Sequence, residues 1–472
     1  MKITHLGHAS LLVETGRLRI LSDPWWKGPC FGAQWWVCPK PVLDPLEDRR
    51  LDYIYISHLH EDHFHPSTLR TLDRTAKVLI QHCPRLAEAV RRLGFEVLEV
   101  APDRDFALGH GVSCRIVPTY GGDSFLILSD GAETLVNLND AVHPLPRSLR
   151  SKFTRLIRRL HPRIDYVFCG YGVASHFPNC YIVPGKDDAA TARKRQLFFN
   201  HAWAEIVHEL APRFGFPFAA DVALLEDELF WANEVVHNCE RPTAVFRRLY
   251  PTATTEVLDI VGGFVVENGE VRVPRLKKPL VPAEVRDQFR EEIRRANQVP
   301  RVDGADLALV RDLLERAIAR KAGYLGRYRH DYAVLLRFRN GEHGLAIRKH
   351  GSRLAVEPVA DADQARERFD LCFTTRLAYL RRSLSEPLGN ETLFVGSGGI
   401  FRYANVEMLN HHLHEEVMEI VSPFKPAGSR WRQDLKRLAK RLIDRDDFDL
   451  YNAARWTVFK TAPIEVRPAN AG

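Results

Sequence analysis

Residues 51–65 read Leu51-Asp52-Tyr53-Ile54-Tyr55-Ile56-Ser57-His58-Leu59-His60-Glu61-Asp62-His63-Phe64-His65. The first six residues form a short apolar run of the kind that makes a buried strand. That strand ends in His58, His60, Asp62 and His63, an H-x-H-x-D-H pattern. Packing gives no reason to gather three imidazoles and a carboxylate at one strand end. Neutral imidazole and carboxylate are ligands for zinc, iron or manganese, so the segment reads as a metal-binding loop.

Strand and turn signals surround this loop. Residues 2–23 read as strand, turn and strand, ending at Asp23-Pro24. An aromatic loop follows, with Trp25-Trp26, Gly28-Pro29-Cys30-Phe31 and Trp35-Trp36. Helices are expected at 66–75 and 84–93, and strands at 112–118, 124–129 and 133–138, the last delivering Asn139-Asp140. A basic helix near 148–160 leads to the strand Tyr166-Val167-Phe168, which runs into the loop that carries His176. Polar residues at strand ends are where α/β proteins place chemistry. Helices are expected again at 187–211 and 220–234. The Asn340-Gly341 pair between alternating runs signals a hairpin.

At 472 residues the chain exceeds a single ordinary core. The expected division is a catalytic unit at 1–245, a helical or linker segment at 246–304, an α+β unit at 305–425, and a basic helix with tail at 426–472. An apolar fraction of 45% suits a globular protein, and no apolar run is long enough to span a bilayer. The start of the chain shows no signal-peptide pattern, which predicts a cytoplasmic protein. Eight scattered Cys without a C-x-x-C pair predict reduced thiols. A net charge of +7 permits an anionic small-molecule substrate and does not call for nucleic acid. A homo-oligomer is compatible with all of this.

The H-x-H-x-D-H loop resembles the metal signature of the metallo-β-lactamase superfamily. Ile3-Thr4-His5-Leu6-Gly7-His8-Ala9-Ser10 and Leu21-Ser22-Asp23-Pro24-Trp25 resemble its UlaG-like branch. The aromatic loop, Asn137-Leu138-Asn139-Asp140 and Phe168-Cys169-Gly170-Tyr171-Gly172-Val173-Ala174-Ser175-His176 are similar to the catalytic domain of the CMP-N-acetylneuraminate hydroxylase family. The segments Glu391–Gly396 and Tyr403–His412 are more loosely similar. The resemblance implies an αββα four-layer sandwich, followed by a smaller α+β unit that loosely resembles a sterol-carrier domain.

It also implies a site. His58 and His60 would hold one metal; Asp62, His63 and His176 would hold the other, with Asp140 bridging or completing it. Asp62 and Asp140 are the expected catalytic carboxylates. His8 is expected to support a ligand, and Trp25 and Trp26 either to face the substrate or to form a local aromatic core. His65, His82, His110 and His143 are expected to be ordinary surface or loop residues. Hydrolytic relatives usually place another His on the strand near 118–123, where this chain has Val117-Pro118-Thr119-Tyr120-Gly121-Gly122-Asp123. Asp123 could serve the first position, or that position could bind weakly or stay empty. The hydroxylase family also carries a Rieske iron–sulfur domain, which needs paired Cys and His ligands. No Cys-x-His or Cys-x-x-His pair occurs here, so electrons would come from a separate donor protein. Two classes follow. One is a non-haem iron oxygenase or hydroxylase using one or two metal ions. The other is a zinc or manganese hydrolase of a phosphodiester, lactone or sulfate ester.

Overall fold

The computed structural model describes residues 1–41, 50–119, 122–172, 179–185, 187–273, 281–405, 408, 411–426 and 431. Two sheets face each other in the N-terminal half. The first has eight strands in the order Glu270–Arg272, Val265–Glu267, Lys2–Gly7, Ser10–Thr15, Leu18–Ser22, Tyr53–Tyr55, Lys77–Ile80 and Glu96–Glu99. The second has seven, in the order Glu256–Val257, Phe214–Phe218, Tyr166–Gly170, Thr134–Asn139, Ser124–Ser129, Val112–Pro118 and Phe106–Gly109.

The alternation of side chains along a strand explains the layering. Ile3, Leu11, Val13, Ile20, Tyr55 and Leu79 point inward and meet Ile116, Leu126, Leu128, Phe168 and Phe216 of the opposing sheet. On the outer face of the first sheet, Leu12, Leu21, Ile54 and Val78 pack beneath Leu69, Leu86 and Val90 of the helices Pro66–Leu69 and Pro84–Arg92. On the outer face of the second, Phe125, Val136 and Val167 meet Phe153, Trp203 and Phe246 of the helices Arg147–Leu160, Asp188–Leu210 and Pro242–Leu249. The result is four layers, α, β, β and α.

Three expectations are corrected. Strands between Glu256 and Arg272 complete both sheets, so the sandwich extends beyond residue 245. The expected helix at 220–234 is a strand, Val222–Leu224, followed by the helix Ala232–Asn238. The strand pairs antiparallel with Trp35–Val37, and a short apolar run carries no periodicity that separates strand from helix. The helix expected at 66–75 stops after Leu69. The tail, including the basic segment Arg430–Leu442, lies outside the described residues apart from Trp431.

A six-stranded sheet forms the second unit, in the order Tyr181–Ile182, Gly399–Tyr403, Leu371–Thr375, Tyr332–Phe338, Gly344–His350 and Arg353–Val359. The expected hairpin is present: Tyr332–Phe338 pairs antiparallel with Gly344–His350, and Asn340 takes a φ of 60° in the connection. This unit is not a detached appendage. Its edge strand Tyr181–Ile182 arises from the N-terminal half, and its core includes Trp25, Phe31 and Trp35 from the aromatic loop. Gln34 donates to the carbonyls of Phe31 and Thr392. A buried ionic network adds to the seam. Glu226 pairs with Arg339, sits 2.8 Å from Arg376 and accepts a hydrogen bond from the Tyr379 hydroxyl at 2.6 Å. Among the described residues no helix is long and apolar enough to cross a membrane.

Candidate metal centre

Two residues past the strand Tyr53–Tyr55 comes Ser57, whose backbone N–H donates to Asp23 at 2.8 Å. The chain then folds back, with the N–H groups of His63 and Phe64 both donating to the His60 carbonyl. This tight loop turns His58 and His63 toward each other, with ring centroids 4.2 Å apart. The short helix after it is capped by His65, which accepts from the Thr68 N–H and holds the Pro29 carbonyl at 3.1 Å. His65 is therefore a buried cap, not a surface residue.

Asp140 reaches the same point from the opposing sheet. The strand Thr134–Asn139 ends in a turn in which Asn139 takes a φ of 37°. The Asn139 side chain donates to Ser124 O and accepts from the Ala141 N–H, while Asn137 donates to Ser22 across the sandwich. These amides fix the turn that presents Asp140.

The geometry brings most of the expected residues together. His63 Nε2 lies 3.5 Å from Asp62 and 3.6 Å from Asp140, and His58 Nδ1 lies 3.9 Å from Asp140. His58 Nε2 is 2.8 Å from His60 Nδ1, and His8 Nε2 is 3.2 Å from Asp62. Two sets have donor atoms within 4.8 Å of one another: His58, His63 and Asp140, and His8, Asp62 and His63. His8 thus stands with the inner group. Asp123 approaches His58 Nε2 at 4.0 Å but belongs to neither set. His176 lies outside the described residues. Trp25 and Trp26 are buried, and Trp25 packs edge-on against His8 at 4.9 Å. They form aromatic core beside the site, not an exposed stacking wall.

A divalent cation fits this arrangement. His63 Nε2, Asp62 Oδ1 and Asp140 Oδ1 are buried without a hydrogen-bond partner among the described residues. Buried polar atoms are ordinarily paired, so convergent orphans of this kind suit a metal. Protonation states agree. Burial, and then the neighbouring His58, lower His60 to about 4, which leaves it a neutral donor at neutral pH. Burial opposes charge on His63, but Asp140, Asp62 and Asp23 outweigh it and raise its pKa well above the ordinary value. Burial would likewise raise Asp62 and Asp140, yet the adjacent imidazoles hold both carboxylates low. A metal entering here therefore displaces a proton from His63. Affinity is expected to weaken about tenfold per unit as pH falls below that raised pKa, measured by zinc competition between pH 8 and 5.5.

Three features escaped sequence reading. Asp23, fully buried, holds His63 Nδ1 at 3.0 Å and so directs Nε2 toward Asp62 and Asp140. Such a carboxylate–imidazole pair fixes tautomer and ring orientation. Asp23→Asn is expected to cost about 10–100-fold in metal affinity, read by calorimetric titration. The Asp23-Pro24 strand end was visible in sequence; its partner 40 residues away was not. His143, expected to be an ordinary surface or loop residue, is buried with Nε2 2.9 Å from Gly172 O, and burial lowers its pKa to about 4. It packs against Gly170, where a Cβ would approach its ring to 2.8 Å. Finally, the second unit touches the metal loop. Glu61 accepts from Phe31 N–H at 2.8 Å and lies 3.6 Å from Arg382. Nearby Glu391 is pushed up to about 8 by burial and by the charges of Asp62 and Glu61.

Residues 2–156 match the family model described as a β-lactamase superfamily domain, so the chain carries a metallo-β-lactamase superfamily domain. A putative Rieske 2Fe-2S iron-sulfur protein of Mycobacterium tuberculosis is 31% identical over 249 residues, which is 50% of this chain and 46% of that protein. The cytidine monophosphate-N-acetylneuraminic acid hydroxylase of Mus musculus is 41% identical over 75 residues, 16% of this chain and 13% of that protein. The chain spans about half the length or less of these curated relatives. Among solved structures, a CmlA β-hydroxylase variant aligns with a TM-score of 0.38 at 18% identity, over 56% of this chain and 53% of that one.

Proposed function

We propose that this chain is a metal-dependent oxygenase or hydroxylase that acts on a small polar or anionic substrate and takes electrons from a separate protein. One observation carries the reading: His58, His63 and Asp140 form a buried set of two imidazoles and one carboxylate. That donor composition with open positions suits non-haem iron(II). The relatives described as a Rieske 2Fe-2S protein and as a hydroxylase support a redox role.

In this reading His58, His63 and Asp140 hold the iron, with Asp62, His60 and His176 completing the centre or a neighbouring position. Bound iron would supply dioxygen activation. The chain's own residues prepare the place. Asp23 keeps the proton on His63 Nδ1 and leaves Nε2 to face the centre. His8 orients Asp62 by its 3.2 Å contact. Glu391, raised to about 8, holds its proton at neutral pH at the edge of the group. Arg382 and Arg85 are close enough to Glu391 to bias its charge, and they favour an anionic substrate on that side.

Metal analysis of protein purified without a metal-affinity tag tests the reading. Iron as the predominant metal is expected. Full zinc or manganese occupancy of both positions would favour the hydrolase instead.

A further inference from the structure

The C-terminal unit holds a second group of metal-ligating side chains that the proposed oxygenase reading does not use. We infer that His412, His414 and Glu415 form a separate divalent-metal site. Their candidate donor atoms lie within 4.8 Å of one another.

The spacing is the main argument. His412 Nδ1 stands 3.5 Å from Glu415 Oε1, and His414 Nε2 stands 4.0 Å from the same oxygen. The second distance is beyond any hydrogen bond and the first is at its limit. Two donors bound at about 2.1 Å to one tetrahedral ion sit roughly 3.4 Å apart. Both imidazole nitrogens lie at ion-pair distance from the same carboxylate oxygen, near the separation of two ligands that share one ion.

The fold builds this arrangement deliberately. His412 caps the helix Leu413–Ile420 and takes a left-handed φ of 58°, a conformation that costs a β-carbon residue about 1 kcal/mol or more. That turn brings the His412 ring back over Glu415, three residues on. The two imidazoles meet at 58° with centroids 6.0 Å apart, so they approach the carboxylate from different directions. His414 is buried, with Tyr181 and Tyr403 packed edge-on at 5.2 and 6.2 Å, which fixes its ring. Ahead of the turn, the Tyr328 hydroxyl donates to His411 O at 2.9 Å and pins the backbone. The His412 and Glu415 side chains are 25% and 29% exposed, so an ion can enter from solvent. Two nitrogens and one oxygen, with a position left for water, suit zinc or a similar first-row ion.

The test uses the full chain and zinc or cobalt(II) alone as probe. The Asp62→Asn/His63→Ala variant disables the first centre. It is expected to retain one equivalent of zinc and to show a cobalt(II) d–d spectrum of a site with imidazole ligands. Adding His412→Ala and Glu415→Gln to that background is expected to remove the equivalent and the spectrum, with at least a 100-fold loss of affinity. Circular dichroism checks that each variant is folded. If the last variant does not fold, Glu415→Gln alone in the first-centre background takes its place and is expected to weaken the retained equivalent. A folded first-centre variant that binds no metal, or a quadruple variant that keeps its equivalent, would overturn the inference.

Discussion

Asp62→Asn and His60→Ala are expected to give folded proteins that have lost tightly bound metal at the first centre and all activity that depends on it. Asp62 is buried, lies 3.5 Å from His63 Nε2 and 3.2 Å from His8, and keeps one oxygen without a protein partner. The amide of asparagine keeps the shape but removes the negative charge and turns one acceptor into a donor. A ligand change of this kind should exceed the 10–100-fold effect of a supporting residue, so a loss of about 100-fold or more is expected. His60 is neutral at neutral pH and stands 2.8 Å from His58, so alanine removes a donor from the same cluster. Neither residue belongs to the hydrophobic core clusters. Far-ultraviolet circular dichroism should therefore match the parent protein while metal analysis shows the deficit. Normal metal content in the first centre of both variants would remove these residues from it.

Glu226→Ala is expected to be the most destabilising single change at the seam between the units. Glu226 is buried and faces Arg339, Arg376 and the Tyr379 hydroxyl. Arg339 is itself buried, and the one further carboxylate near it among the described residues is the exposed Glu228, 3.3 Å away. Breaking a buried pair from one side strands the remaining charge and typically costs about 3–5 kcal/mol. Because Tyr379 also touches the aromatic loop at Gly32, the loss should reach the segment that holds Glu61 through Phe31. Thermal unfolding should show a lowered transition, and metal affinity should fall with it. A variant as stable as the parent would mean that the network contributes little.

What the sequence revealed follows the range of the interactions. The loop His58–His63 was legible because its ligands lie within six residues and their spacing is set by one turn. Asp140 was legible as a polar residue ending a strand. Asp23 was not, because its role depends on a contact with His63 that only the parallel pairing of Leu18–Ser22 with Tyr53–Tyr55 creates. His143 looked like a loop histidine because nothing local shows that Gly170 makes room for it. The engagement of Arg382 and Glu391 with the metal loop spans more than 300 residues of chain, far beyond any sequence window. The aromatic loop was legible as unusual, yet its role was ambiguous. Trp25 and Trp35 are buried because the second unit closes over them.

Dioxygen uptake is the most direct test of the oxygenase reading. The protein is loaded anaerobically with iron(II), mixed with an external reductant and candidate anionic substrates, and followed with an oxygen electrode. The Asp140→Ala variant and zinc-loaded protein serve as controls. The account predicts substrate-dependent uptake by the iron-loaded parent and none by either control. Ester or phosphodiester hydrolysis by zinc-loaded protein under nitrogen, with no oxygen uptake by the iron form, would contradict it.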